Sequence, residues 1–189
     1  MTIQAGYLSE RYPAVALALI EEYFGTGDKL HVPQALCVRA EAHLAMGNDT
    51  DAIAEYKQAL DWEAAHPNFI STASTSFPVL VAEMRLTDEY DYALNILTSR
   101  FSESDHLFPA TEYMWNGSFA LIAHEKGEVV AAREFAERAI RAATKTESPF
   151  RYHRKVGLVP NASHDFGERI KDIAKPSKVP FWMRYFSRS

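Results

Sequence analysis

The chain has 189 residues, 47% of them hydrophobic and 24% charged, the balance of a globular domain with enough apolar material for a core. Its longest apolar run, Ala14 to Ile20, is far short of a bilayer span, and its single cysteine, Cys37, excludes an intramolecular disulfide and a Cys-rich zinc site. The net charge of −5 hides a division: residues 1–140 carry 9 Lys+Arg against 21 Asp+Glu, whereas residues 141–189 carry 11 against 4. Such asymmetry predicts either a basic end lying back on an acidic body or an external acidic partner. No basic stretch followed by an apolar one opens the chain, so a reducing, cytoplasmic setting is expected.

Strand-like alternation is nowhere sustained, but helical spacing is. Ala14 to Phe24 reads as one helix, the lone second member of a preceding pair. From Pro33 to Met46, Leu36, Ala40 and Leu44 fall on one stripe, Pro33 suits a first turn, and Gly47 ends the helix. Asp49 and Asp51 favour the start of the next, whose inward stripe is Ala52, Ile53, Tyr56, Ala59 and Leu60. Phe77 to Leu86 is apolar at helical spacing, Thr87-Asp88 offers a turn and cap, and Asp91 to Phe101 places Ala93, Leu94, Leu97 and Phe101 together. A further pair follows Pro109. Its first helix carries Tyr113, Met114, Phe119, Ala120 and Ala123 and stops at Gly127; its second carries Ala132, Phe135, Ala136, Ala139 and Ile140. The small residues Ala52, Ala93 and Ala132 are 41 and 39 positions apart, a period near that of helical repeat arrays.

Beyond Arg141 this pattern breaks. Thr144 to Pro160 reads as a loop with the basic group Arg151, Arg154 and Lys155. Ser163 is placed to cap a last helix through Lys175, with Phe166, Ile170 and Ile173 on one face, before Pro176 ends it. The tail to Ser189 has no acidic residue and interleaves Lys178, Arg184 and Arg188 with Phe181, Trp182, Tyr185 and Phe186.

Catalytic patterns are missing. Gly25-Thr26-Gly27-Asp28 lacks the third glycine and the lysine of a phosphate loop, and His124-Glu125 has no second histidine at the zincin spacing. Ser163-His164-Asp165 is consecutive, and consecutive side chains point apart, so it is no triad. His43 reads as a core histidine and Cys37 as a small apolar residue. These readings predict a non-catalytic protein without metal or cofactor.

The residues Leu36, Ala40, His43-Leu44, Gly47, Ala52, Tyr56 and Ala59 resemble the tetratricopeptide repeat (TPR), and Phe119, Ala120, Ala123, Gly127, Ala132, Ala136 and Ala139 repeat the resemblance. Leu80, Met84, Ala93 and Leu97 form a degenerate middle copy without the turn glycine. The resemblance implies an all-α fold of antiparallel helix hairpins stacked as a short right-handed solenoid with a C-terminal helical extension. The expected division is a repeat domain over 1–143 and a basic extension over 144–189. The resemblance further implies a partner-binding groove at Gln34, Cys37 and Glu41, at Ala82 and Arg85, and at Met114, Ser118, Leu121 and Glu125. The family's clamp for acidic peptide termini needs Lys and Asn at several of these places, and this chain has neither there. An adaptor or scaffold for a protein or peptide partner is therefore expected, with the chain's own C-terminal segment as an alternative occupant of the groove. The second reading uses the tail residues Lys178, Phe181, Trp182, Arg184, Tyr185 and Phe186 for self-association, a membrane surface or nucleic acid.

Overall fold

A computed structural model describes residues 1–100, 108–160 and 164–175, and among them the chain is all-α with no strand. The helices are α1 (Thr2–Leu8), α2 (Pro13–Gly25), α3 (Val32–Ala45), α4 (Asp49–Ala65), α5 (Ala73–Met84), α6 (Tyr90–Arg100), α7 (Pro109–Glu125), α8 (Val129–Ala143) and α9 (Asp165–Ala174). They divide into two compact units, residues 1–102 and residues 103–189.

In the first unit α1 packs on α2, α3 on α4, and α5 on α6, each a helical hairpin. The short α1 has no apolar periodicity to announce it. It is held by Ala5, which is fully buried, and by Ser9, whose hydroxyl is shared between the Gly6 carbonyl (2.9 Å) and Glu41 Oε2 on α3 (3.1 Å). So α2, which reads from sequence as a lone helix, has a partner.

Helix α3 is the centre of this unit. Ala35, Leu36, Cys37, Val38, Ala40 and Ala42 are all buried, so neighbours surround it on several sides. The turn to α4 is closed by Gly47 at φ 76°, with Gly47 N–H donating to Leu44 O and Asn48 N–H to His43 O. An L-residue in that left-handed region is strained, which is why glycine stands there. Helix α4 then buries Ala52, Tyr56, Ala59 and Leu60 on the expected stripe, with Asp49 and Asp51 in its first turn.

Helix α5 begins at Ala73, four residues before the apolar pattern starts, and carries Pro78 inside it. Its end has no glycine. Arg85 takes the left-handed conformation instead (φ 55°), and Leu86 N–H donates back to Val81 O. Thr87–Glu89 form a 3-10 turn into α6, which buries Tyr90, Ala93, Ile96 and Leu97. Phe77 joins the hairpins, meeting Tyr56 of α4 and Tyr92 of α6 edge-on at 6.5 and 5.6 Å. Phe101 lies outside the described residues.

In the second unit the α7–α8 hairpin repeats the same closure, with Gly127 at φ 81° and Glu128 N–H donating to Ala123 O. Ala132, Ala136, Ala139 and Ala142 leave α8 a fully buried alanine stripe, so α7 approaches closely, and Phe119 stacks on Phe135 at 4.0 Å. Helix α9 packs on both α7 and α8 through Phe166 and Ile170. His164 is its N-cap residue, and Ser163, read as a cap from sequence, lies outside the described residues.

Candidate partner-binding surfaces

The α3 face singled out by the repeat resemblance is built mostly of enclosed polar contacts. Gln34 is half-buried, Cys37 is fully buried and Glu41 is half-buried. The Cys37 thiol lies 3.3 Å from Ser71 Oγ, and Ser71 in turn donates both its N–H (2.7 Å) and its O–H (2.6 Å) to Glu63 Oε1. Ala73 N–H, at the start of α5, donates to Ser71 Oγ at 3.1 Å. This chain of bonds pins the entry of α5 to α4, and it explains why a helix begins before its apolar pattern does. Burial pushes the Cys37 thiol up to about 11, which keeps it protonated and unreactive near neutrality. Burial likewise raises the Glu41 carboxyl, against the lowering effect of Ser9 and with a further rise from Glu10.

On α5, Ala82 is buried and Arg85 is exposed at the helix end. In the second unit Met114 is half-buried, while Ser118 and Leu121 are buried. Ser118 Oγ donates to the Met114 carbonyl at 2.8 Å, so its hydroxyl is spent on its own helix. Glu125 is exposed, with Arg169 of α9 3.8 Å away. A side chain added at Gly117 would meet Ile170 Cδ1 at 2.6 Å and Phe166 Cε1 at 2.8 Å, so α9 lies directly on α7 there. The expected groove residues thus divide into exposed ends, Arg85 and Glu125, and largely buried middles. The six tail residues, Lys178 to Phe186, lie outside the described residues.

An open concavity of the first unit lies elsewhere, and sequence reasoning missed it. It is a cavity of about 570 Å³ between α2, α3 and α4. Phe24 of α2, Val32 and Leu36 of α3, and Trp62 and Ala65 of α4 supply its apolar lining. Glu21, Arg39, Gln58, Asp61 and His66 supply the polar part. Arg39 is fixed by Glu21 (2.9 Å) and Glu55 (2.8 Å), and its guanidinium lies 4.8 Å from the Phe24 ring centroid. Trp62 stacks on His66 at 4.5 Å, and the His66 ring nitrogen Nδ1 is 3.0 Å from the Trp62 carbonyl. With Arg39 satisfied by two carboxylates, Asp61 tips the charge of the rim negative. Trp62 Nε1 and Arg39 Nε are enclosed donors without an acceptor among the described residues.

The signal for this site was present but dispersed. Leu36 and Arg39 sit one turn apart on α3, on a side of the helix away from Cys37 and Glu41, and only the packing of three helices brings Phe24 and Trp62 to them. Among the described residues no group of three or more His, Cys, Asp or Glu could hold a metal ion, and no helix is long and apolar enough to cross a membrane. Compared with family models, curated proteins and solved structures, the chain matches none.

Proposed function

We propose that the chain is a non-catalytic adaptor, a TPR-like array of helix hairpins that holds a peptide or protein partner. The observation that carries this reading is the cavity of about 570 Å³ between α2, α3 and α4, aromatic in its lining and acidic at its rim. A concave apolar site with a few convergent polar groups is the usual form of a recognition site. Residues 1–102 carry 14 Asp+Glu against 6 Lys+Arg, so a segment that offers an apolar side chain flanked by Lys or Arg is the partner that fits. The repeated glycine-closed hairpins support the array, and the thiol held protonated at Cys37 supports a structural role for that residue.

Photo-crosslinking of the full chain tests the reading. A photoreactive residue at Gln58 is expected to give an adduct with a discrete protein that the same residue at Arg85 gives weakly. Trp62→Ala is expected to lower the Gln58 adduct about tenfold, the size of a lost aromatic anchor. Adducts that are equal at both positions, or untouched by Trp62→Ala, would move the working surface away from the cavity.

A further inference from the structure

The second unit carries a feature that the adaptor reading does not use. Between α8 and α9 the chain runs Phe150-Arg151-Tyr152-His153-Arg154-Lys155-Val156, with no acidic residue from Ser148 to Asn161. The loop is built, not merely basic. Its consecutive turns are closed by His153 N–H to Phe150 O (3.1 Å) and Val156 N–H to His153 O (3.0 Å), and Ser148 N–H reaches across to Arg154 O. Its far end is clamped to the start of α7: Gly157 O accepts from Ala110 N–H at 2.8 Å, and the Phe150 ring meets Phe108 edge-on at 5.1 Å. Gly157 has φ 73°, and a Cβ there would fall 2.1 Å from Phe108 Cδ1, so only glycine permits this seat.

What the clamp presents is cationic and apolar at once. Arg151, His153, Arg154 and Lys155 are exposed, and beside them Tyr152 is 84%, Val156 47% and Phe150 44% exposed. Several other described cations are ion-paired: Arg39 to Glu21 and Glu55, Lys57 to Glu89, Lys145 to Glu112, Lys171 to Glu168. Arg151, Arg154 and Lys155 have no ion pair among the described residues; Arg151 rests 5.6 Å from the Tyr152 ring centroid. Three unmatched charges within five residues, beside exposed apolar side chains on a loop held in place, suit an anionic surface with an apolar layer beneath it.

We propose that residues 150–156 form a docking loop for an anionic lipid bilayer, with Tyr152 and Val156 entering the interfacial layer and Arg151, Arg154 and Lys155 among the headgroups. Single-stranded nucleic acid is the other polyanion, but its binding sites string several open ring faces along a groove, whereas here Phe150 is packed against Phe108, Arg151 lies over the Tyr152 ring, and aliphatic Val156 is exposed beside them. Each surface cation contributes about a fivefold gain in partitioning to an anionic bilayer, so three give roughly a hundredfold, a reversible attachment.

The test is co-sedimentation of the full chain with phosphatidylcholine vesicles, with and without phosphatidylserine. Retention is expected only with phosphatidylserine, weakening as salt rises. Combined Arg151→Glu, Arg154→Glu and Lys155→Glu is expected to lower partitioning by more than about a hundredfold, since reversal adds repulsion to the lost attraction. The charge-matched control is Lys178→Glu, Arg184→Glu and Arg188→Glu in the tail, expected to lower it less. Tyr152→Ser should lower partitioning several-fold with no change in charge. No preference for phosphatidylserine, or a loop variant that loses no more than the tail control, would overturn the proposal. Tighter retention on a single-stranded oligonucleotide than on vesicles, abolished by the loop variant, would overturn it in favour of nucleic acid.

Discussion

Glu63 shows how much one buried carboxylate can organise. It is 2% exposed and accepts both the N–H and the O–H of Ser71, whose oxygen in turn faces the Cys37 thiol and Ala73 N–H. Glu63→Ala leaves two donors unsatisfied in the interior, and a loss of about 2–4 kcal/mol is expected in urea unfolding. Cys37→Ala removes only a weak S–H contact and a small volume, about 1 kcal/mol. The thiol also makes a pH prediction. Its folded value of about 11 lies above its ordinary 9.0, so the unfolded state releases the proton first as pH rises. The stability it contributes is complete below pH 9 and is lost between pH 9 and 11, by about 2–3 kcal/mol at most. Urea titrations across that range are expected to show the fall, and Cys37→Ala should shrink it. A flat profile in the unmodified chain would show that the thiol ionises as readily folded as unfolded.

Among the elements, the glycines decide where helices meet. Gly47 and Gly127 close two hairpins with the same pair of backbone bonds at nearly the same φ. Alanine at either is expected to cost about 1 kcal/mol, the left-handed strain, read from the shift of the urea midpoint. Gly117 is different: it is helical, and it is kept small by α9. Gly117→Leu is expected to displace Phe166 and Ile170, raising amide exchange in 165–174 while α7 and α8 stay protected. Ile170→Ala in the same chain should return part of that protection. If exchange in α9 is unchanged by leucine, the contact at Gly117 is not what seats it.

At the scale of the whole molecule, charge and helix content are the observables. Residues 1–102 are acidic by 14 to 6 and residues 103–189 are basic by 14 to 11, so the two described surfaces suit partners of opposite sign. A cationic segment at the α2–α4 cavity and an anionic bilayer at 150–156 would compete little, and both should weaken as salt screens them. The far-UV circular dichroism of the chain is expected to show about 60% helix, the share of its residues in the nine described helices, without a β component. A substantial β signal would contradict the fold.

How much of this was written in the chain differs by feature. The α3–α4 and α7–α8 hairpins were legible because helix periodicity, a first-turn proline and a closing glycine are local and agree with one another. The middle hairpin was partly legible. Its first helix starts early, on Ala73-Ser74-Thr75-Ser76, because a carboxylate of the preceding helix, Glu63, holds Ser71, and it ends without glycine because Arg85 takes the left-handed turn. Helix α1 had no periodic signal and exists through its contact with Val38 and Glu41. The cavity was invisible for a related reason: Phe24, Leu36, Arg39 and Trp62 belong to three helices, and no spacing within one helix reports their meeting.

The amino-acid sequence by itself therefore determined the all-α class, most helix boundaries and the uneven charge, since these depend on residues within a few positions of each other. Tertiary packing alone decided which polar groups are sealed at Cys37 and Glu63, which face of α3 opens as a cavity, and that the basic loop is clamped in place by Gly157 and Phe108. Those outcomes rest on contacts between different elements, such as Cys37 with Ser71 and Gly157 with Phe108, whose geometry no local pattern encodes.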